Sequence, residues 1–285
     1  MQGIVIDKNF LFGARSEDIQ ALSSNYRLLM SDSLLYELLK EPSSKKRAAY
    51  FSKFGADNVT PYILVPRVGK LFHYEIHNRK MARKPSEFFT ADRDYQVHKK
   101  LCDANYSFSD HEKKMLDREH EGVTSDVNVF IEFLKRTETE VKETILRKVG
   151  EKGQIDPDKL ISVLNDKSVL SERYCKVFIP DLGDNQDLRP PFHYMDDNWC
   201  AYRFVQVYLL LSIDIFNRYE KLDILLESKS ALGKLKNEVV DAQYFIQALL
   251  EGGFATNEKR WRQWWKLLAK DGDILLPLDG SDSKI

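Results

Sequence analysis

The chain is poor in cysteine, with three in 285 residues. Cys102, Cys175 and Cys200 are odd in number and show no Cys-x-x-Cys spacing, which argues against a disulfide framework and against a cysteine-ligated zinc site. Long apolar runs are missing too. The most apolar stretch, residues 204–216, is interrupted by Gln206 and Asp214 and is too short to span a bilayer, so no membrane partner is expected. An excess of charge of one sign is also absent: 43 Lys and Arg face 44 Asp and Glu, for a formal net charge of -1. No global basic field advertises a polyanionic partner, although a local basic patch suffices to bind one. There is no Gly-rich phosphate loop, no Gly-x-Ser-x-Gly elbow, no internal repeat and no low-complexity tract. Residues 1–7 lack a basic n-region and their apolar run stops at an acid, so a signal peptide is not expected there. A reduced, cytoplasmic protein is expected.

What is present is a globular composition, 43% apolar and 31% charged, long enough for one large domain or two small ones. Residues 3–12 read as a strand running into a loop at Asp7-Lys8-Asn9. A short helix over 17–24 and an apolar strand over 26–30 follow, then a helix with the stripe Leu34, Leu35, Leu38, Leu39, capped by Asp32 or Ser33 and ended near Glu41-Pro42. The same texture returns at the far end: a helix over 235–251 stopped by Gly252-Gly253, a short strand Phe254-Ala255-Thr256, a helix over 259–270 and a last strand over 274–278. Strand and helix in alternation predict a parallel α/β sheet to which both ends contribute. The middle of the chain differs. It is dense in charge, with amphipathic helices expected over 110–121, 125–148 and 156–164, a polar loop over 181–197 and a buried apolar helix over 203–219. The expected organisation is an α/β domain built from residues 1–58 and 199–285, interrupted by a large, mostly helical insertion or cap over 59–198.

Four acids stand where those strands end. Asp7 closes Ile4-Val5-Ile6, Glu37 lies in the second turn of the helix after the second strand, Asp241 is on the helix before Phe254-Ala255-Thr256, and Glu258 follows that strand. Ligands of open α/β sheets bind at the carboxyl ends of strands, and grouped carboxylates are what a hard divalent cation needs. Singly, each acid reads more simply as a turn residue, a solvated helix acid or a charge favoured at a helix N-terminus. The order of the set is more specific. Ile4-Val5-Ile6-Asp7-Lys8-Asn9-Phe10-Leu11, Leu34-Leu35-Tyr36-Glu37-Leu38-Leu39, Asp241-Ala242-Gln243-Tyr244-Phe245-Ile246-Gln247-Ala248 and Gly252-Gly253-Phe254-Ala255-Thr256-Asn257-Glu258 together resemble the four motifs of PIN-domain metal-dependent ribonucleases. The resemblance covers residues 1–55 and 235–280. Two departures stand out: Glu258 replaces the usual Asp, and the long middle section has no counterpart in a minimal PIN domain.

The resemblance implies a PIN-like sheet and endonucleolytic cleavage of RNA with Mg²⁺ or Mn²⁺. Asp7, Glu37, Asp241 and Glu258 would be the catalytic, metal-holding acids, and Asn9, Thr256, Asn257, Lys259 and Arg260 the substrate-binding residues. Glu238, one turn before Asp241, is a reserve ligand. Crowded carboxylates repel one another unless a cation neutralises them. The implied role is a toxin or defence effector with an inhibitory or regulatory protein partner. The alternatives are a nuclease of structured or single-stranded DNA and a catalytically inactive PIN-like interaction module. A haloacid-dehalogenase reading fails because Asn9 stands where a second Asp is needed.

Other clusters carry less. His73 and His77 share a helical face around Glu75 without a third zinc ligand. Trp261, Trp264, Trp265 and Leu268 recur at helical spacing beside Lys259, Arg260, Arg262 and Lys266, which reads as a core stripe with a solvated basic face rather than an RNA-stacking surface. Lys45-Lys46-Arg47 and Arg79-Lys80 with Arg83-Lys84 are the local basic clusters able to guide a polyanion.

Overall fold

The computed structural model describes residues 1–55, 60–88, 94–150, 155–178, 192–219, 221–277 and 283–284. The chain begins β1 (Gly3–Ile6), α1 (Lys8–Gly13), α2 (Ser16–Asn25), β2 (Arg27–Ser31), α3 (Asp32–Leu39), α4 (Ser44–Ser52) and β3 (Tyr62–Val65). Next come α5 (Val68–Asn78), β4 (Asp94–Tyr95) and α6 (Asp110–Glu140), which a π-turn at Val141–Ile145 continues into α7 (Leu146–Val149). Then follow α8 (Pro157–Leu164), α9 (Lys167–Phe178), α10 (Cys200–Arg218), α11 (Leu222–Glu227) and α12 (Lys229–Glu251). The chain closes with β5 (Gly253–Ala255), α13 (Lys259–Leu268), β6 (Ile274–Leu276) and β7 (Ser283–Lys284).

The chain divides into two units, one of residues 1–67, 83–123 and 243–285, the other of residues 68–82 and 124–242. The first holds the whole sheet, in the order β4-β3-β2-β1-β5-β6-β7. β3, β2, β1, β5 and β6 are parallel, and β4 and β7 close the edges antiparallel. The expected α/β class, with strands from both chain ends in one sheet, holds. β1 is the centre, paired with β2 through Gly3, Ile4 and Val5 and with β5 through Val5 and Ile6. All of its residues are buried, as the near-continuous apolar run of a strand covered on both faces requires. Trp261, Trp264, Trp265 and Leu268 of α13 are buried as the core stripe they were read to be, with the Trp261 and Trp265 rings 5.1 and 6.2 Å from Phe245.

Several local expectations are corrected. Asp7-Lys8-Asn9 is not a loop: Asp7 caps α1, and Lys8 and Asn9 are its first two residues. The cap of α3 is Ser31, whose hydroxyl accepts the Leu34 amide at 2.9 Å, rather than Asp32 or Ser33. β3 joins the parallel sheet from inside the segment read as a helical insertion; its Tyr-Ile-Leu-Val run is bounded by Pro61 and Pro66. The two helices expected over 110–121 and 125–148 are one continuous α6 and its extension. Gly122 does not break α6. Its missing side chain is where the Arg67 guanidinium lies, bonded to the Glu119 carbonyl at 3.1 Å and to the Glu119 carboxylate. Of the polar loop read over 181–197, residues 181–191 lie outside the described residues, and Phe192–Tyr194 form a single 3₁₀ turn.

The second unit is helical and centred on α10, whose residues from Cys200 to Ile213 are all buried. Tyr208 of α10 meets Phe130 and Phe133 of α6 edge-on at 4.7 and 5.8 Å. Glu75 of α5, fully buried, accepts the Cys200 and Ala201 amides at 2.9 and 2.8 Å and the Ala82 amide at 3.0 Å. It supplies the acceptors that the N-cap, Trp199, lacks. Burial pushes its carboxyl up to about 7 against the three amides, which pull it down. His73 and His77 do share an exposed face of α5, with parallel rings 5.9 Å apart, but Glu75 is turned away from it into this cap. Cys102, Cys175 and Cys200 are free thiols. Among the described residues no helix is long and apolar enough to cross a membrane.

The β1–β5 seam sets a steric limit. A Cβ on Gly253 would sit on the Gly3 carbonyl oxygen, a backbone atom that cannot swing aside. Gly253→Ala is expected to cost about 2 kcal/mol and to lower the melting temperature by roughly 4–8 °C in differential scanning fluorimetry. Gly233→Ala, in open space on α12, should leave it unchanged or slightly higher.

Candidate active site

From β1 the chain builds outward to β2 and β3 on one side, while β5 and β6 lie on the other. The connections leaving the carboxyl ends of β1 and β5 therefore part in opposite directions, which opens the crevice where ligands of open α/β sheets bind. Asp7 follows β1 at that point and Thr256 follows β5. The Asp7 amide donates to the Ala255 carbonyl at 3.1 Å, extending the ladder by one rung.

Asp7 is 4% exposed. One carboxylate oxygen accepts the Phe10 amide at 2.5 Å, the usual bond of an acidic N-cap. The other accepts the Thr256 hydroxyl, which itself accepts the Glu258 amide at 3.1 Å. Burial dominates the electrostatics and pushes the Asp7 carboxyl up to about 6, with the Glu258 charge adding to the rise. The bonds from Thr256 and Phe10 oppose it without cancelling it. Glu258 is the N-cap of α13. Its carboxylate accepts the Asn9 carboxamide at 3.0 Å and has the Arg260 guanidinium at 3.4 Å. Arg260 also lies over the Trp261 and Trp264 rings at 4.7 and 5.4 Å, which fixes its direction.

Glu37 projects from α3 and joins the same region through Lys8, whose ammonium is 3.6 Å away, and through the Tyr244 hydroxyl, which donates to it at 2.7 Å. Lys8 and Tyr244 were not singled out from the sequence. Each had a signal: Lys8 directly follows Asp7, and Tyr244 puts a hydroxyl on an otherwise apolar helical face, where it needs a partner. Asn9 and Thr256, expected to bind substrate, bond the Glu258 and Asp7 carboxylates. Asn257 lies between β5 and α13, and Lys259 is the exposed first residue of α13.

Three of the four expected acids, Asp7, Glu37 and Glu258, thus belong to the first unit. Asp241 belongs to the second and stands in the interior of α12. Glu238 is also in the second unit, where Arg218 takes its carboxylate at 3.0 Å. Of the basic cluster at 45–47, Arg47 is buried, bonded to the Tyr106 carbonyl at 2.7 Å with the Phe108 ring at 4.5 Å, and only Lys45 and Lys46 are exposed.

The donor set is all oxygen and suits a hard cation. Asp7 and Glu258 repel each other, and Asp7 is driven toward its neutral form, the condition a bound divalent cation would relieve. As the side chains stand, no group of three or more His, Cys, Asp or Glu among the described residues is gathered around one point. A comparison of the chain with family models, with curated proteins and with solved structures finds no match.

The raised Asp7 carboxyl has a thermodynamic consequence. Between the ordinary value of 3.8 and about 6 the folded chain holds a proton that the unfolded chain has released. Stability therefore falls as pH rises through that window, and the penalty is fully present above it. In EDTA, the stability of Asp7→Asn relative to wild type should rise by about 2 kcal/mol between pH 4 and pH 7. Urea unfolding at both pH values measures this, and an unchanged difference would mean that Asp7 titrates normally.

Proposed function

We propose that the chain is a metal-dependent endoribonuclease. Asp7 and Glu258 hold Mg²⁺ or Mn²⁺ at the carboxyl ends of β1 and β5, with Glu37 in the same unit beside them. The observation that carries the reading is the desolvated Asp7 carboxyl beside Glu258 in the crevice between β1 and β5, a pair of like charges held together at the expense of the ionised form. When bound, the cation supplies Lewis-acid stabilisation of the charge that develops on the phosphate. The chain's own residues do the positioning. Thr256 fixes the Asp7 carboxylate, Asn9 that of Glu258, and Tyr244 that of Glu37. Lys8 and Arg260 bring positive charge beside the acids, which offsets their repulsion of a phosphodiester. A toxin or defence role, cytoplasmic location and a regulatory protein partner follow from analogy with the family alone.

One observation favours a second reading. The Lys8 ammonium already neutralises Glu37, which suits a catalytically inactive module in which the polar cluster ties β1 to β5 and α3. The same assay separates the two. With Mn²⁺ the wild type should cleave single-stranded RNA, EDTA should abolish cleavage, and Asp7→Asn or Glu258→Gln should lower the rate at least ~100-fold. Preference for flapped DNA would move the activity to DNA, and no cleavage of either polymer would leave the inactive module.

A further inference from the structure

The first unit carries an aromatic side chain at its surface that the carboxylate site does not use. Phe12 is 66% exposed. It lies on α1, the helix that Asp7 caps, one turn from Lys8 at the i, i+4 spacing that places two side chains on one face. Lys8 contacts Glu37, so this face of α1 leads outward from the acids to the ring. At 1.5 Å per residue, Phe12 is about 7.5 Å along the helix from Asp7. Phe12 is not a loose surface residue: the buried ring of Tyr50 supports it from α4, centroid to centroid 6.2 Å. Burial raises the Tyr50 phenol, with the Glu41 and Glu37 charges adding to the rise and Lys8 opposing it. Lys53 bonds the Leu11 and Phe12 carbonyls at 2.7 and 2.8 Å, locking the end of α1, with its ammonium 6.0 Å from the Tyr50 ring centroid. Lys46, one turn before Tyr50 on α4, is exposed.

We infer that Phe12 is a base-stacking platform for single-stranded RNA, seating an unpaired base next to the phosphodiester at Asp7 and Glu258. This rests on the ribonuclease reading and adds a substrate-binding residue to it: an exposed aromatic face with Lys8 on the same side of its helix takes an unpaired base of any sequence, whereas a paired base has no free face to offer. Alanine substitution of such a platform costs about 1–3 kcal/mol per stacked base, a loss of roughly 5- to 150-fold in affinity.

The test is binding without turnover, by fluorescence anisotropy of a labelled single-stranded RNA 12-mer in EDTA. Phe12→Ala should weaken binding by about 5-fold or more, Phe12→Tyr should retain it, and binding of the same sequence as a duplex should not respond to either change. No binding by the wild type, equal binding by Phe12→Ala, or an equal loss on single strand and duplex would each overturn the platform. The ribonuclease reading fails separately, if Mn²⁺-supported cleavage is absent while Phe12-dependent binding persists. Because Phe12 is exposed, Phe12→Ala leaves the core intact, and an unchanged melting temperature confirms that a loss of affinity is local.

Discussion

The first unit depends on the pairing of β1 with β5. Gly3–Ile6 and Gly253–Ala255 lie at opposite ends of the chain, yet they are adjacent central strands of one parallel sheet. A parallel pair needs a crossover between its strands, and here nearly the whole chain is that crossover. Gly253 permits the close approach, and the Asp7 amide and the Thr256 hydroxyl extend the seam past the last ladder residues. The same few bonds thus serve as structure and as site. The strand ends that must be joined for the sheet to close are the ones that carry Asp7 and Glu258.

That economy explains the electrostatics. Asp7 has to be buried because β1 is central and covered on both faces, and burial disfavours its charge. Hydrogen bonds from Phe10 and Thr256 recover part of the loss, while the nearby Glu258 adds to it. Lys8 and Arg260 attend Glu37 and Glu258 instead of Asp7. The result is one underneutralised carboxyl among neighbours whose charges are met, the position from which a cation gains most.

Much of this was legible in the sequence, for physical reasons that can be named. α10 and α13 are long enough for their apolar spacing to read as helix, β1 and β2 read as strands because they are short apolar runs alternating with helical segments, and the convergence of the two chain ends follows from that alternation. The acids at Asp7 and Glu258 were legible because strand ends are where an open sheet presents ligands. What was not legible depends on tertiary contact. β3 is a four-residue run in a charged region, too short for periodicity to decide. The continuity of α6 past Gly122 is not visible until Arg67 is seen to occupy the glycine's open side. Asn9 and Thr256 have the chemistry of substrate contacts, and only the fold shows that their partners are Glu258 and Asp7. Lys8 was passed over because a lysine after an acid is ordinary, and its partner lies on a different helix.

Whether the carboxylates at the ends of β1 and β5 form the proposed cation site is read from a crystal soaked in Mn²⁺ and measured for anomalous scattering. An anomalous peak is expected in coordination contact with the carboxylates of both Asp7 and Glu258, absent from Asp7→Asn crystals treated alike. A map without a peak at either carboxylate, from crystals in which Asp7 is ionised, would contradict the proposed site.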